Sequence, residues 1–237
     1  MFTEPAELLA ALEAAGSPQC RKIYEKHGVT EPTFGVSYAE QKKLAKLVPP
    51  SKKKKGRNQA WATALWNSGN HDARVLATMI AEAEEATTEQ LEGWINDVAN
   101  YVLADAFTQL AAQVSDIEQR AFEWTKSPLE YRKRIGYTVF ASLFSKSGEV
   151  QEWPSLLLPK IEAEVHGSPN HAREGMNNCL IAIGGLTLEL RELALEVSSR
   201  LGPIEVDHGD TNCKTFVVDE YIDRIWQRKT AIKTANK

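Results

Sequence analysis

Long apolar runs are missing from this chain. No stretch approaches the roughly eighteen consecutive apolar residues that a membrane-spanning helix needs, so no membrane partner is expected. Cysteine is scarce as well. Cys20, Cys179 and Cys213 form an odd, widely spaced set with no Cys-x-x-Cys pair. That argues against a disulfide framework and makes a reducing cytoplasm the natural setting. The opening residues, Met-Phe-Thr-Glu-Pro-Ala-Glu, lack the basic start and apolar core of a signal peptide. Positive charge is not in excess either, since 28 Lys and Arg face 32 Asp and Glu, for a net charge of −4. That balance counts against a surface coated in positive charge for nucleic acid. Strand signals are few, and 203–216 is the one stretch that reads as non-helical.

What remains is a chain of 237 residues, 43% hydrophobic and 25% charged, enough for one large domain or one continuous repeat array. Helix punctuation recurs along it. Ser17-Pro18 opens a helix that Gly28 ends, and Ser37-Tyr-Ala-Glu40 is a capping box. Asn58, Asn70 and Thr87 read as further caps. Ser127-Pro128 and Ser168-Pro169 read as proline starts, and Gly184-Gly185 as a break. Leu186 to Leu201 and Val218 to Lys229 complete the series. Helices of roughly ten to eighteen residues joined by short loops suit antiparallel pairs. The expectation is an all-α fold, a single helical-repeat domain over 1–237. It would be a degenerate solenoid of roughly 40-residue units whose concave face is the binding surface. A basic loop at 49–58 and a frayed basic tail at 228–237 complete this picture.

Charge is unevenly distributed. Lys52, Lys53, Lys54, Lys55 and Arg57 form a dense run, and Arg132, Lys133 and Arg134 a second. A local basic face on an acidic protein is one reading, and solvated loops are the other. The stretch Trp94 to Phe107 carries the most chemistry. Tyr101 and Asp105 are four apart and share one helix face, while Trp94, Ile95 and Val98 mark an apolar stripe. An aromatic face beside a carboxylate can hold a cationic, sugar-like group. The plainer alternative buries Tyr101 and points Asp105 at water or a neighbouring Arg. His27, His71, His166 and His171 read as surface or cap histidines.

Several segments, in order and spacing, resemble bacterial DNA alkylation repair proteins of the AlkD type, which are all-helical HEAT-like repeat DNA glycosylases. The resemblance runs from about residue 30 to 225. It rests on Phe34-Gly35-Val36-Ser37, Leu65-Trp66 through His71-Asp72-Ala-Arg74, Trp94 through Asp105, Glu130 through Arg134, and His171 through Met176. It places the family's essential carboxylate at Asp105 and gives Tyr101 where the family has Trp. The family's Arg falls at Lys133 or Arg134, with Arg134 preferred. Its second sugar-facing Trp falls near Met176-Asn177-Asn178, where no aromatic stands.

The resemblance implies hydrolysis of the N-glycosidic bond of an alkylated, cationic purine in double-stranded DNA, without cofactor or metal, by a monomer. A carboxylate aimed at the developing sugar cation in a dry cleft is worth about 3–4 kcal/mol. Each aromatic face adds about 0.5–2 kcal/mol. One ring shrunk and one lost predict a slower reaction rather than none. The 203–216 segment resembles a stretch found in a subset of the family. Asp207, His208, Asp210 and Cys213 match no standard zinc spacing. The favoured reading is a buried turn, where Asp207 and His208 hydrogen-bond loop backbone and order the last helix. An intermediate reading has the turn border the cleft in place of the missing aromatic, with Trp94, Asn177, Asn178, Asp207 and His208 as further cleft candidates. The competing function is a non-catalytic scaffold that binds DNA or a protein.

Overall fold

The computed structural model describes residues 2–50, 57–146 and 152–235, with side chains described to residue 231. Among these residues there are thirteen α-helices, two short 3-10 turns and no strand. The all-α expectation holds. The chain divides into two compact units, one of residues 1–117 with 209–211, the other of 118–208 with 212–237. The run Lys52 to Lys55 lies outside the described residues.

The first unit contains α1 (Pro5–Ala15), α2 (Pro18–Lys26), α3 (Tyr38–Ala45), α4 (Gln59–Asn67), α5 (His71–Ile80), α6 (Thr88–Asn96) and α7 (Tyr101–Ala111). The caps read from sequence do what was expected of them. Ser17, Ser37, Asn58, Asn70 and Thr87 each accept from a backbone N–H three residues on. This pairs amides that would otherwise be orphaned in a first turn. α5 is central and packs on α3, α4 and α7. One expectation fails here. Trp94 to Phe107 is not one helix, because Asn100 starts a new one by accepting from Leu103 N at 2.8 Å.

The second unit contains α8 (Ile117–Thr125), α9 (Glu130–Lys146), α10 (Trp153–Glu164), α11 (Asn170–Gly184), α12 (Leu188–Leu201) and α13 (Val218–Ala235). The first residue of α8 belongs to the preceding unit. Two glycines set the spacing of the long helices. A Cβ on Gly136 would lie 2.6 Å from Thr125 N, and one on Gly175 would lie 2.9 Å from Arg134 O. Those are backbone atoms and cannot yield, so α8, α9 and α11 approach at glycine distance.

Both proline starts in this unit shift. α9 begins at Glu130, two residues after Pro128. Pro169 is the N-cap of α11, and the Ser168 hydroxyl donates back to Glu164 O at 3.0 Å. The segment 203–216 is non-helical, as expected. The basic tail is a correction, because α13 continues through Arg228 to Ala235. The helix is anchored at the end of α11. Trp226 Nε1 donates to Gly184 O at 2.8 Å and Lys229 Nζ donates to Gly185 O, so α13 satisfies carbonyls that terminate α11.

The histidine reading is also corrected. His71 is fully buried against the edge of Tyr24, with ring centroids 5.0 Å apart. Burial lowers its pKa from 6.5, against the pull of Asp72 and Glu31 and with help from Arg74. His171, half-buried, is lowered chiefly by the same cause.

Two outcomes follow. Asn100 is buried and its Nδ2 also donates to Glu31 Oε1 at 2.9 Å, whereas the Thr87 cap is exposed. Asn100→Ala should therefore destabilise by about 2–3 kcal/mol and Thr87→Ala by about 0.5–1 kcal/mol in urea unfolding. Equal losses would show that the burial of Asn100 carries nothing. The second concerns pH. A histidine whose folded pKa lies below its unfolded value binds more protons when unfolded. Stability should thus be full above pH 6.5 and fall as pH drops below that unfolded value. Urea unfolding between pH 7.5 and 5 should show this decline, and His71→Phe should flatten part of it.

Candidate functional site

Tyr101 and Asp105 stand one turn apart on α7. Asn100 fixes where that helix begins, so the cap also fixes where the aromatic and the carboxylate emerge. Tyr101 is half-buried and its hydroxyl pairs with His27 Nδ1 at the end of α2. The two rings meet edge to face, with centroids 5.7 Å apart and planes at 69°. Asp105 is exposed. The site therefore offers an oriented phenol with an imidazole on its hydroxyl, and an exposed carboxylate one turn on.

Trp94 belongs to the core rather than to a cleft. It stacks on Trp66 with centroids 4.3 Å apart and planes at 1°. Trp66 Nε1 in turn donates to Asp97 at 2.8 Å, and Arg74 pairs with Asp97 at 3.2 Å. The break between α6 and α7 is what separates Trp94 from the Tyr101 face.

The charge-bearing core of this unit is Asp72, at 0% exposure. It accepts from Phe34 N at 2.7 Å, Val36 N at 2.8 Å, Gly35 N at 3.1 Å and the Thr33 hydroxyl at 2.7 Å. Gly35 has φ +76°, and a Cβ there would lie 2.6 Å from Ser17 O, so the loop that wraps the carboxylate requires glycine. Arg57 donates to Ala81 O at 2.6 Å, which engages it at the end of α5.

In the second unit the basic segment turns inward. Arg134 is 3% exposed, pairs with Glu174 at 2.5 Å and donates to His171 O at 3.2 Å. Lys133 pairs with Glu164 at 3.2 Å. The expectation that these two meet phosphate is corrected for Arg134, whose guanidinium is buried between α9 and α11. Lys133 is held by a carboxylate and mostly covered.

Asn177 is buried in α11 and Asn178 is half-buried beside it. Asp207 is exposed, and it is its backbone that matters. Asn170 Nδ2 donates to Asp207 O and Asn170 Oδ1 accepts from Asp207 N, both at 2.7 Å. His208 Nε2 meets the Thr215 hydroxyl at 3.0 Å and so ties the middle of the non-helical segment to its C-terminal end. The buried turn that was expected is instead largely exposed, and Asn170 and Thr215 are among its anchors.

Sequence reading missed three participants: His27, Asn170 and Phe216. His27 lies 74 residues from Tyr101, and Asn170 lies 37 residues from Asp207. No local pattern announces either contact. Phe216 gives its carbonyl to Asn177 Nδ2 at 3.0 Å and lines a cavity with it.

Comparison with known proteins places these features in context. The family model described as DNA alkylation repair enzyme matches residues 8–216. The uncharacterized protein Lin0241 of Listeria innocua is 24% identical over 231 residues, covering 94% of this chain and 97% of its own length. Lmo0209 of Listeria monocytogenes, also uncharacterized, gives the same identity and coverage. A solved structure is similar with a TM-score of 0.83 and 25% identity, covering 96% of this chain and 95% of that one. It is described as a new family of proteins related to the HEAT-like repeat DNA glycosylases with affinity for branched DNA structures. With an all-helical fold shared along nearly its whole length and a family match over 8–216, this chain belongs to the DNA alkylation repair enzyme family.

Proposed function

We propose that this chain binds DNA and that branched DNA is its preferred ligand. The observation that carries this is the likeness over 96% of the chain to a protein described as having affinity for branched DNA structures. The chemistry of the side chains supports binding ahead of base excision. A single carboxylate stabilises a sugar cation best in a water-excluded site, where it is worth about 3–4 kcal/mol. Asp105 is instead exposed, Tyr101 is held by His27, and Asn177 and Asn178 stand where the family carries a second ring. Lys22, Lys214 and Arg228 are exposed and, with Lys52 to Lys55, are the candidate phosphate contacts.

A second reading keeps the family's reaction, hydrolysis of the N-glycosidic bond of an alkylated purine in duplex DNA. The one-turn spacing of Tyr101 and Asp105 on α7 favours it. In it Asp105 stabilises the sugar cation as the bond breaks and Tyr101 offers its ring face.

The two readings separate in one assay. Release of 7-methylguanine or 3-methyladenine from methylated duplex is followed beside binding to a three-way junction. On the first reading the junction binds more tightly than the matched duplex, and base release stays at the spontaneous rate in wild type and Asp105→Asn alike. Release above that rate that disappears in Asp105→Asn overturns the first reading and establishes the second. Tyr101→Ala should then slow release by up to about thirtyfold.

Salt dependence tests the cations. Each lysine of 52–55 that meets a phosphate should contribute about 0.9 to the slope of log affinity against log salt. Replacing all four by Gln should lower that slope, and an unchanged slope removes the run from the interface. Arg134→Ala should leave the slope alone but destabilise the fold by about 3 kcal/mol, because it strands Glu174 beside a partly buried gap.

A further inference from the structure

The second unit carries an open cavity of about 440 Å³ beside the non-helical segment. That volume lies within the roughly 300–1,000 Å³ typical of small-ligand sites. Asn177 lines it and is 1% exposed. Its Nδ2 donates to Phe216 O at 3.0 Å, while its Oδ1 has no partner. A backbone carbonyl only accepts, so the atom facing it is the amide nitrogen and the unpaired atom is an acceptor. A buried acceptor without a donor is unfavourable and calls for one from outside the chain.

The rest of the lining narrows the donor's identity. Ile204 is buried there, while Phe216 and Val217 are 48% and 59% exposed. Large apolar side chains held in water at the mouth of a cavity are surfaces for a ligand. The Phe216 ring already packs on Tyr221 with centroids 4.3 Å apart. The other polar side chains are Ser199, Thr215, Asp219 and Ser198, whose hydroxyl donates to Asp219 Oδ1 at 2.6 Å. Among the described residues no lysine or arginine lines the cavity. A phosphate would meet a carboxylate and no cation, so the ligand is a flat, apolar-faced, neutral or cationic group with an N–H to give.

We infer that this cavity takes an amino-bearing nucleobase, which stacks on Phe216 and donates an exocyclic N–H to Asn177 Oδ1. The inference rests on the DNA-binding reading for its choice of heterocycle. The base could arrive on a nucleoside or as an unpaired base at a DNA branch point, and both present the same edge. Base stacking on an exposed aromatic is a strong and sequence-tolerant contact, and the single buried acceptor adds selection for an amine.

The test titrates the full chain with adenosine and with purine riboside, which has the same ring without the amine, by calorimetry and by amide NMR. Adenosine should bind about tenfold more tightly than purine riboside, the discrimination expected of one buried acceptor left unpaired. Asn177→Leu should erase that difference. Phe216→Ala changes an exposed side chain and should fold normally while weakening both ligands by about tenfold. Equal affinity for the two nucleosides, or Phe216→Ala without effect, overturns the inference. A second arm compares a three-way junction with one unpaired adenine at the branch against the fully paired junction. A gain from the unpaired adenine that Phe216→Ala removes identifies DNA as the source of the base. No gain, with adenosine still bound, identifies the nucleoside. Junction binding without nucleoside binding or adenine gain sinks the cavity proposal and leaves the DNA reading intact. Adenosine binding without any junction binding sinks the DNA reading alone.

Discussion

Burying a carboxylate is costly unless its charge is met by hydrogen bonds, and the first unit is arranged around one such charge. Asp72 sits in the first turn of α5, where the helix dipole favours an anion, and it gathers the amides of Phe34, Gly35 and Val36. One side chain thereby pins an extended loop to the central helix. Gln41, at the start of α3, reaches toward the same carboxylate at 3.4 Å. The neighbouring His71 contacts Asn100 Nδ2 at 3.4 Å, and Asn100 caps α7. The start of α7, and so the place of Tyr101 and Asp105, is thus linked residue by residue to a buried charge on α5.

The second unit solves its packing differently. Its long helices meet at backbone distance, because Gly136 and Gly175 carry no side chain where α8, α9 and α11 cross. Close approach leaves little room for a charged group, yet Arg134 stands at that crossing and is answered by Glu174. A residue that a resemblance assigns to DNA thus acts as an internal strut. Both observations concern the same α9 and α11 surfaces, and both favour a rigid pair of helices over a cationic groove at that point. On α11 itself, the buried Asn177 keeps an Oδ1 that lacks a partner.

Much of the fold was legible in the order of residues. Caps are local, with an oxygen at one position and an amide three residues on, so Ser17, Ser37, Asn58, Asn70 and Thr87 declare their helices without reference to the rest of the chain. Helices without such a signal are harder to read. α1 and α10 have no side-chain cap, and α10 carries a proline inside it. The boundary at Asn100 is hard to read from sequence because apolar periodicity runs across it, and the cap that interrupts it is a single residue. The contacts that anchor α13, from Trp226 and Lys229, reach the terminus of α11, some forty residues away in sequence, so no local pattern announces them.

The residues by themselves determined the all-helical class, the non-helical segment at 203–216 and the one-turn spacing of Tyr101 and Asp105. Each of these depends on neighbours within a few positions. Only the tertiary structure decided that His27 holds Tyr101, that Asp105 faces water, that Arg134 is buried and paired, and that Asn177 keeps an unpaired acceptor beside Phe216. Burial and pairing are set by which helices meet. A charge therefore reads the same in sequence whether it awaits a phosphate or already has its counter-ion.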